Sequence, residues 1–393
     1  MTIEAVDPRA RGLRTGRRDD AVGSLGVIGR LDWVLLAATC GTVFYGLIAI
    51  GSITRHDPGG SAIDRQALYV AAGSILFVAA ILIDPGFYRR FSRTIYVALI
   101  AVMAFVLVFG AATRGSKRWI NIGFFTFQPS EFGKVLLALA LAALLADRSK
   151  QVGSIGTPLK AIATAAVPIV LIFAQPDAGT ALVYVAVLAA VLFVAGVRWL
   201  HLALVGAVAL TTILAVLWFL PAAGVNVLKP YQAQRLTSFT NPSNDPTDSS
   251  SYNLAQSKIA VGAGGLRGRG IVGATQTRLD YLPANDTDFA FASLAEQRGF
   301  FGASILLPLY LVIVWRGLKV VTASGDLFGA IVAAGIVFAF VFQVFVNVGM
   351  TIGIAPITGI PLPFVSVGGS SIISNLAGLG ILQGIYARRR RRL

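Results

Sequence analysis

Ionisable and sulfur-bearing residues are what this chain has least of. A single cysteine, Cys40, excludes an intramolecular disulfide and any cysteine-based metal site. Two histidines, His56 and His201, lie too far apart in sequence and setting to form a metal pair. Charged residues make up only 13% of the chain and apolar residues 56%, wrong for a soluble protein and right for one that crosses a bilayer repeatedly. Acids are scarcer than bases, 18 against 33, leaving a net charge of +15. In a soluble chain that imbalance would point to nucleic acid. In a membrane protein the first question is where the Lys and Arg sit, and topology explains them without a nucleic-acid partner.

A bilayer core about 30 Å thick needs roughly 20 apolar residues per helix. Apolar runs of this kind occur at Leu31–Ile53, Ala67–Ile83, Thr94–Ala112, Pro129–Leu145, Pro158–Ala174, Ala178–Gly196, Trp199–Leu220, Gly302–Val321, Phe328–Met350 and Val367–Tyr386. The expectation is an all-α polytopic membrane protein of about ten transmembrane helices. The polar, Arg-rich stretch before the first run shows no cleavable signal, so the first span is expected to stay in the mature protein. The chain then divides into a basic tail at 1–30, a transmembrane domain at 31–386 with one large loop at 221–301, and a basic tail at 387–393.

Charge placement orients this arrangement. With both termini cytoplasmic, the inner segments hold the N-terminal arginines, Arg89, Arg90 and Arg93, then Arg148 and Lys150, Arg198, Arg316 and Lys319, and finally Arg388 to Arg392. Every inner segment is then basic, as the positive-inside rule requires, and the 221–301 loop is extracytoplasmic. Arg114, Lys117, Arg118, Lys229, Arg235, Lys258, Arg267, Arg269, Arg278 and Arg298 fall on the outer side, where the rule disfavours them. Long loops translocate regardless of charge, which is the plain reading of each. Together they also describe a basic vestibule suited to an anionic group such as a pyrophosphate.

Inside the large loop, Leu254–Val261 places Ala255 and Ile259 on one helical face near Tyr252, a short amphipathic helix suited to the membrane surface. Gly262–Gly270 follows, reading GAGGLRGRG. Its backbone N–H groups are suited to cradle a phosphate, or the run is a hinge; it lacks the Lys-Ser/Thr of a P-loop. Leu282–Gly302 gathers Asp286, Asp288 and Glu296 in a stretch expected to be a polar loop between spans.

Ionisable groups within spans are costly and mark function by default. In Gln128–Lys134, Glu131 and Lys134 share a helix face and can pair, either to act on a ligand or only to neutralise each other. Pro129 suits a first helical turn whose N-terminus favours an anion. In Gln175–Thr180, Asp177 is either an N-cap worth about 1 kcal/mol or a member of a polar cluster with Lys134. Thr358–Ser371 is too rich in Pro and Gly for a continuous helix, which suggests a re-entrant loop, either buried in protein or lining a watery cavity.

These motifs occur together in one family. KRWI at Lys117–Ile120, QPSEFGK at Gln128–Lys134, QPDAGTAL at Gln175–Leu182, TDFAF at Thr287–Phe291, NVGMTIG at Asn347–Gly353 and TGIPLPF with GGSS through Ser371 have the order and spacing of the SEDS (shape, elongation, division and sporulation) family. The resemblance covers nearly all of Leu31 to Tyr386, and the LDWVLL opening of the first span resembles the elongation, RodA-type branch more than the division, FtsW-type branch. It implies a ten-span glycosyltransferase of the bacterial plasma membrane that polymerises lipid II onto a nascent glycan strand, beside a class B penicillin-binding protein that supplies the transpeptidase. The family's essential loop aspartate falls on Asp288, its KRW tryptophan on Trp119, its intramembrane pair on Glu131 and Lys134, and its QPD aspartate on Asp177. Glu296 is followed by Gln297 where the family shows a second acid, and Val367 stands where it shows Tyr.

Joining α-linked sugar pyrophosphates into a β-linked strand requires an inverting displacement. Asp288 is the candidate base for the acceptor 4-hydroxyl, against the plainer reading of an N-cap, and Asp286 reads as a solvated loop acid. Arg118, Lys134, Arg235 and Lys258 are candidates to meet the leaving pyrophosphate. A divalent cation is suited to share that task, but no ligand set for one is legible. Two other readings stand beside this one. A lipid II flippase would account for the intramembrane charges, although no inverted repeat is visible. An inactive scaffold for the penicillin-binding protein would leave Asp288 dispensable.

Overall fold

The computed structural model describes residues 26–27, 29–56, 62–113, 116–122, 125–215 and 249–389, with single positions 219, 235 and 239. Lys229 and Arg114 lie outside the described residues. The long helices are α1 (Trp33–Ile53), α2 (Ala62–Leu82), a short α3 (Pro85–Arg90), α4 (Ser92–Phe109), α5 (Pro129–Asp147), α6 (Gly156–Ala174), α7 (Ala178–Val194) and α8 (Trp199–Leu214). Beyond the large loop come α9 (Ser249–Gly264), two short turns α10 (Gly270–Gly273) and α11 (Thr275–Arg278), α12 (Ala290–Ala323), α13 (Leu327–Ile352) and α14 (Gly369–Ala387). Seven of these, α1, α2, α4, α5, α6, α12 and α13, are long and apolar enough to cross a membrane. The shorter α7 and α8, with α14, occupy the places of the remaining expected spans.

Burial separates an inner from an outer set. In the apolar windows of α5 and α13, 78% and 67% of residues are buried, against 22% in α4 and 28% in α2, so α5 and α13 form the interior and α4 and α2 face outward. Polar side chains fix the helix starts: Asp32 Oδ1 accepts from Leu35 N at 3.1 Å to cap α1, and Asp326 Oδ1 accepts from Gly329 N at 3.2 Å to cap α13. Gly353 ends α13 at φ 80°, a left-handed conformation open to glycine at little cost.

The two ends of the bundle differ in chemistry. At one, Arg316 pairs with the buried Asp32 at the start of α1, while Gln383 of α14 exchanges hydrogen bonds with the Asp32 backbone. Arg388 donates to the carbonyls of Ile81 and Leu82, and Arg89 pairs with Asp147 at the far end of α5. These are the segments expected to lie together on one membrane face. The opposite end gathers the starts of α5, α7, α12 and α14 and the irregular segment 353–368. That segment threads through protein: Phe364 lies against Gly46 of α1, where a side chain would collide with its carbonyl, and Tyr310 donates to the Pro363 carbonyl at 2.6 Å. Non-helical backbone is thereby kept away from lipid.

Three features depart from the sequence expectation. A small antiparallel sheet, β1 (Ala111–Thr113), β2 (Ser116–Ile122) and β3 (Phe125–Phe127), follows α4, which ends at Phe109 rather than Ala112. The run expected to be a polar loop up to Gly302 is helical from Ala290, because Phe291, Leu294 and Ala295 bury and Gly299, at φ 66° and ψ −166°, bends the chain into the span proper. The glycine run packs against α12: Gly268 and Leu266 press against Gly299 and Gln297, and Phe300 N donates to the Gly265 carbonyl at 2.8 Å. Its glycines allow two backbones to touch. Helix α9 buries Leu254, Ser257, Ala260 and Gly264 against α12 and α13 and leaves Tyr252, Ala255 and Ile259 outward.

Candidate active site

At the end holding the starts of α5, α7 and α14 lies a cavity of about 350 Å³, within the usual range for ligand pockets. Arg118 and Trp119 of β2, Gln128 and Glu131 at the start of α5, Asp177, Arg235 and Asp288 all line it, with Gly359 and Gly368–Ser371 closing one side. Six of the candidate residues thus meet across segments far apart in the chain.

Each is held by a local reason. Asp177 is buried and does two things at once: Oδ1 caps α7 by accepting from Thr180 N at 3.2 Å, while Oδ2 accepts from Gln128 Nε2 at 3.0 Å and faces Arg118 Nη1 at 3.5 Å. The expected polar cluster is real, but its cation is Arg118 rather than Lys134. Arg118 also lies over the Trp119 ring, 4.2 Å from its centre, which orients the guanidinium through the ring quadrupole. Its Nε is buried with no partner among the described residues, a donor left over on a cation that lines the cavity. Lys134 does not line the cavity; its Nζ donates to Glu131 Oε2 at 2.8 Å and Gln343 Oε1 at 3.0 Å, both buried. Lys134 therefore holds the Glu131 carboxylate in place from behind.

Asp288 stands in the turn before α12, whose N-cap is Phe289, so the capping reading of Asp288 does not hold. The turn is gripped through three successive carbonyls. Asp286 O accepts from Val367 N at 2.8 Å, Thr287 O from the Ser366 hydroxyl, and Asp288 O from Asn347 Nδ2 at 3.0 Å. Asn347 Nδ2 also donates to the Ile360 carbonyl at 2.8 Å, tying α13 to the same irregular segment. Beside this clamp a Cβ on Gly359 would stand 3.2 Å from Arg235 Nη1 and 3.4 Å from Asp288 Oδ2, so glycine there keeps both groups at the cavity wall. Ser370 closes the far side, its hydroxyl donating to Thr126 O at 3.0 Å and accepting from Gln128 N at 2.8 Å.

The profile of the FtsW/RodA/SpoVE family, described as cell cycle protein, matches residues 30–391. The chain belongs to the SEDS family. Among its relatives, the peptidoglycan glycosyltransferase MrdB of Escherichia coli K12 is 35% identical over 92% of this chain and 94% of its own. Stage V sporulation protein E of Bacillus subtilis is 34% identical over 90% and 95%. A chain from a peptidoglycan synthase complex that coordinates polymerization and crosslinking superposes with a TM-score of 0.78 at 31% identity, covering 92% of this chain and 99% of that one. Rod shape determining protein RodA of Thermus thermophilus does so at 0.67 and 28% identity, covering 92% and 98%.

In this SEDS protein, among the described residues of the basic vestibule two cations line the cavity, Arg118 and Arg235. Lys258 is exposed and its stem lies against Gly353, away from the cavity, and Arg267, Arg269, Arg278 and Arg298 are exposed elsewhere. Glu296 is fully buried and accepts from Gln276 N and Thr277 N at 2.9 Å and from the Thr277 hydroxyl at 2.7 Å, which makes it the tie between α11 and α12. Among the described residues no group of three or more acidic, His or Cys side chains is placed to hold a metal ion. Sequence reasoning missed Gln343, Ser366 and Ser370 as supports of the site. A lone Gln within the apolar run FVFQVF was the available sign for the first.

Proposed function

We propose that this membrane protein is a peptidoglycan glycosyltransferase that polymerises lipid II by an inverting displacement in the cavity described above. The observation that carries the reading is the convergence of Asp288, Arg118 and Arg235 on one cavity of ligand size. Asp288 accepts the proton of the acceptor 4-hydroxyl as that oxygen attacks the donor anomeric carbon. The bond from that carbon to the pyrophosphate breaks on the opposite face, inverting the α-linkage to β. Arg118 and Arg235 meet the charge that develops on the leaving undecaprenyl pyrophosphate, Arg118 with a buried Nε donor still to give. Glu131, held by Lys134, and Asp177 keep the floor acidic and fix Arg118, so the cation is aimed before substrate arrives.

The carbonyl clamp on residues 286–288 supplies the positional precision that such a displacement needs. The acidic turn and the α5 N-terminus both lie at one end of the bundle, not at its middle, which favours chemistry at a membrane face over carriage through it. In this reading ten spans place both termini in the cytoplasm and the cavity outside. The nascent strand leaves there, and a class B penicillin-binding protein crosslinks it in elongation. Purified protein given labelled lipid II in detergent tests the assignment. Polymer is the expected product, and its absence with the transpeptidase partner present would return the flippase or scaffold readings.

A further inference from the structure

A second built feature lies at the other end of α5, roughly 24 Å from Glu131 along the helix axis. Between α4, α5 and α6 a crevice of about 390 Å³ is walled by Tyr96, Val97, Ala140, Ala143 and Leu144. Tyr96 donates to the Thr164 carbonyl at 2.8 Å, fixing the spacing of α4 and α6 across it, and Val97 is 64% exposed on the lipid side. The crevice opens into a polar cleft lined by Lys150 and Gln151, and Arg93, Asp147 and Arg148 line both.

The charge at this junction is unbalanced. Its one acid, Asp147, is taken by Arg89, whose Nη2 and Nε lie 2.6 Å and 3.2 Å from Oδ1. Arg93, Arg148 and Lys150 have no ion pair among the described residues. The positive-inside rule asks only for basic loops; it does not ask for cations shared between a headgroup-sized cleft and an apolar slot open to lipid. A ligand matching both halves has an anionic phosphate head and an apolar chain, and basic pockets between transmembrane helices bind such lipids.

We propose that this junction is a binding site for an anionic phospholipid, its phosphate held by Arg93, Arg148 and Lys150 and an acyl chain lying in the α4–α6 crevice. The site is separate from the glycan chemistry and does not depend on that assignment.

The test is native mass spectrometry of the full-length protein in detergent, titrated with dioleoyl phosphatidylglycerol, dioleoyl phosphatidylcholine or glycerol phosphate. Wild type is expected to retain the glycerol lipid at least about tenfold better than the choline lipid, and R93Q/R148Q/K150Q to lose that preference. R267Q/R269Q/R278Q, which removes the same charge from exposed positions elsewhere, is expected to keep it. Equal loss in both triple variants, no loss in the first, or glycerol phosphate competing as well as the intact lipid would overturn the proposal. If the triple variant does not fold, Arg93→Gln and Arg148→Gln are read singly. Each is expected to weaken retention about threefold, and unchanged retention in both overturns the proposal.

Discussion

Asp288 and Glu296 belong to one short acidic run, and the structure gives them opposite employment. Glu296 is wholly enclosed, with two backbone N–H groups and a hydroxyl satisfying its carboxylate, and it holds α11 against the helix that bends at Gly299. Asp288 is half-buried, its backbone gripped by Asn347 and its side chain at the wall of a cavity that also holds Arg118 and Arg235. The comparison teaches that an acid's role in this protein follows from where its donors come from. Donors from its own fold make a strut, and in the function proposed above an opening toward cations in a cavity makes a reactive group.

Breaking the reactive side has the largest expected effect. Asp288→Asn should lower lipid II polymerisation by about a thousandfold, the scale of a general base, with melting temperature unchanged. Removing the cation behind the cavity comes next. Lys134→Met leaves Glu131 buried and uncompensated, at a cost of about 3–5 kcal/mol, seen as loss of folded protein in detergent before any kinetic measurement. On the strut side, Glu296→Gln turns one acceptor oxygen into a donor facing donors. It should destabilise by about 2 kcal/mol in thermal unfolding, with activity per folded molecule retained. Loosening the clamp is subtler: Ser366→Ala frees the Thr287 carbonyl and should lower kcat about tenfold with KM unchanged. Arg267→Gln, whose side chain is exposed and outside the cavity lining, should change neither quantity beyond about 0.5 kcal/mol.

Much of this contrast was legible in the sequence, and the losses have physical causes. Apolar run lengths placed the seven helices long enough to cross a membrane, and Glu131 and Lys134 paired because their spacing puts them on one helical face. Asp177 was read as a cap or as a cluster member and is both, since its two oxygens serve different partners. Its partner was mistaken because Arg118 arrives on a strand, and the short sheet at 111–127 was invisible beside strong helical runs. The helix beginning at Ala290 was taken for loop because Asp286, Asp288 and Glu296 make the run polar, and the α11 donors that bury Glu296 are brought in only by the fold. The glycine run was read as a phosphate cradle or a hinge because its contact with the Gly299 bend is nonlocal.

The most direct test assays Asp288→Asn and Glu296→Gln side by side with wild type, scoring labelled lipid II polymer per folded molecule together with thermal unfolding. The account predicts an Asp288→Asn protein that melts like wild type and polymerises about a thousandfold less, and a Glu296→Gln protein that melts lower and still polymerises. Wild-type polymerisation by the Asp288→Asn protein, with its fold intact, would contradict the account at its centre.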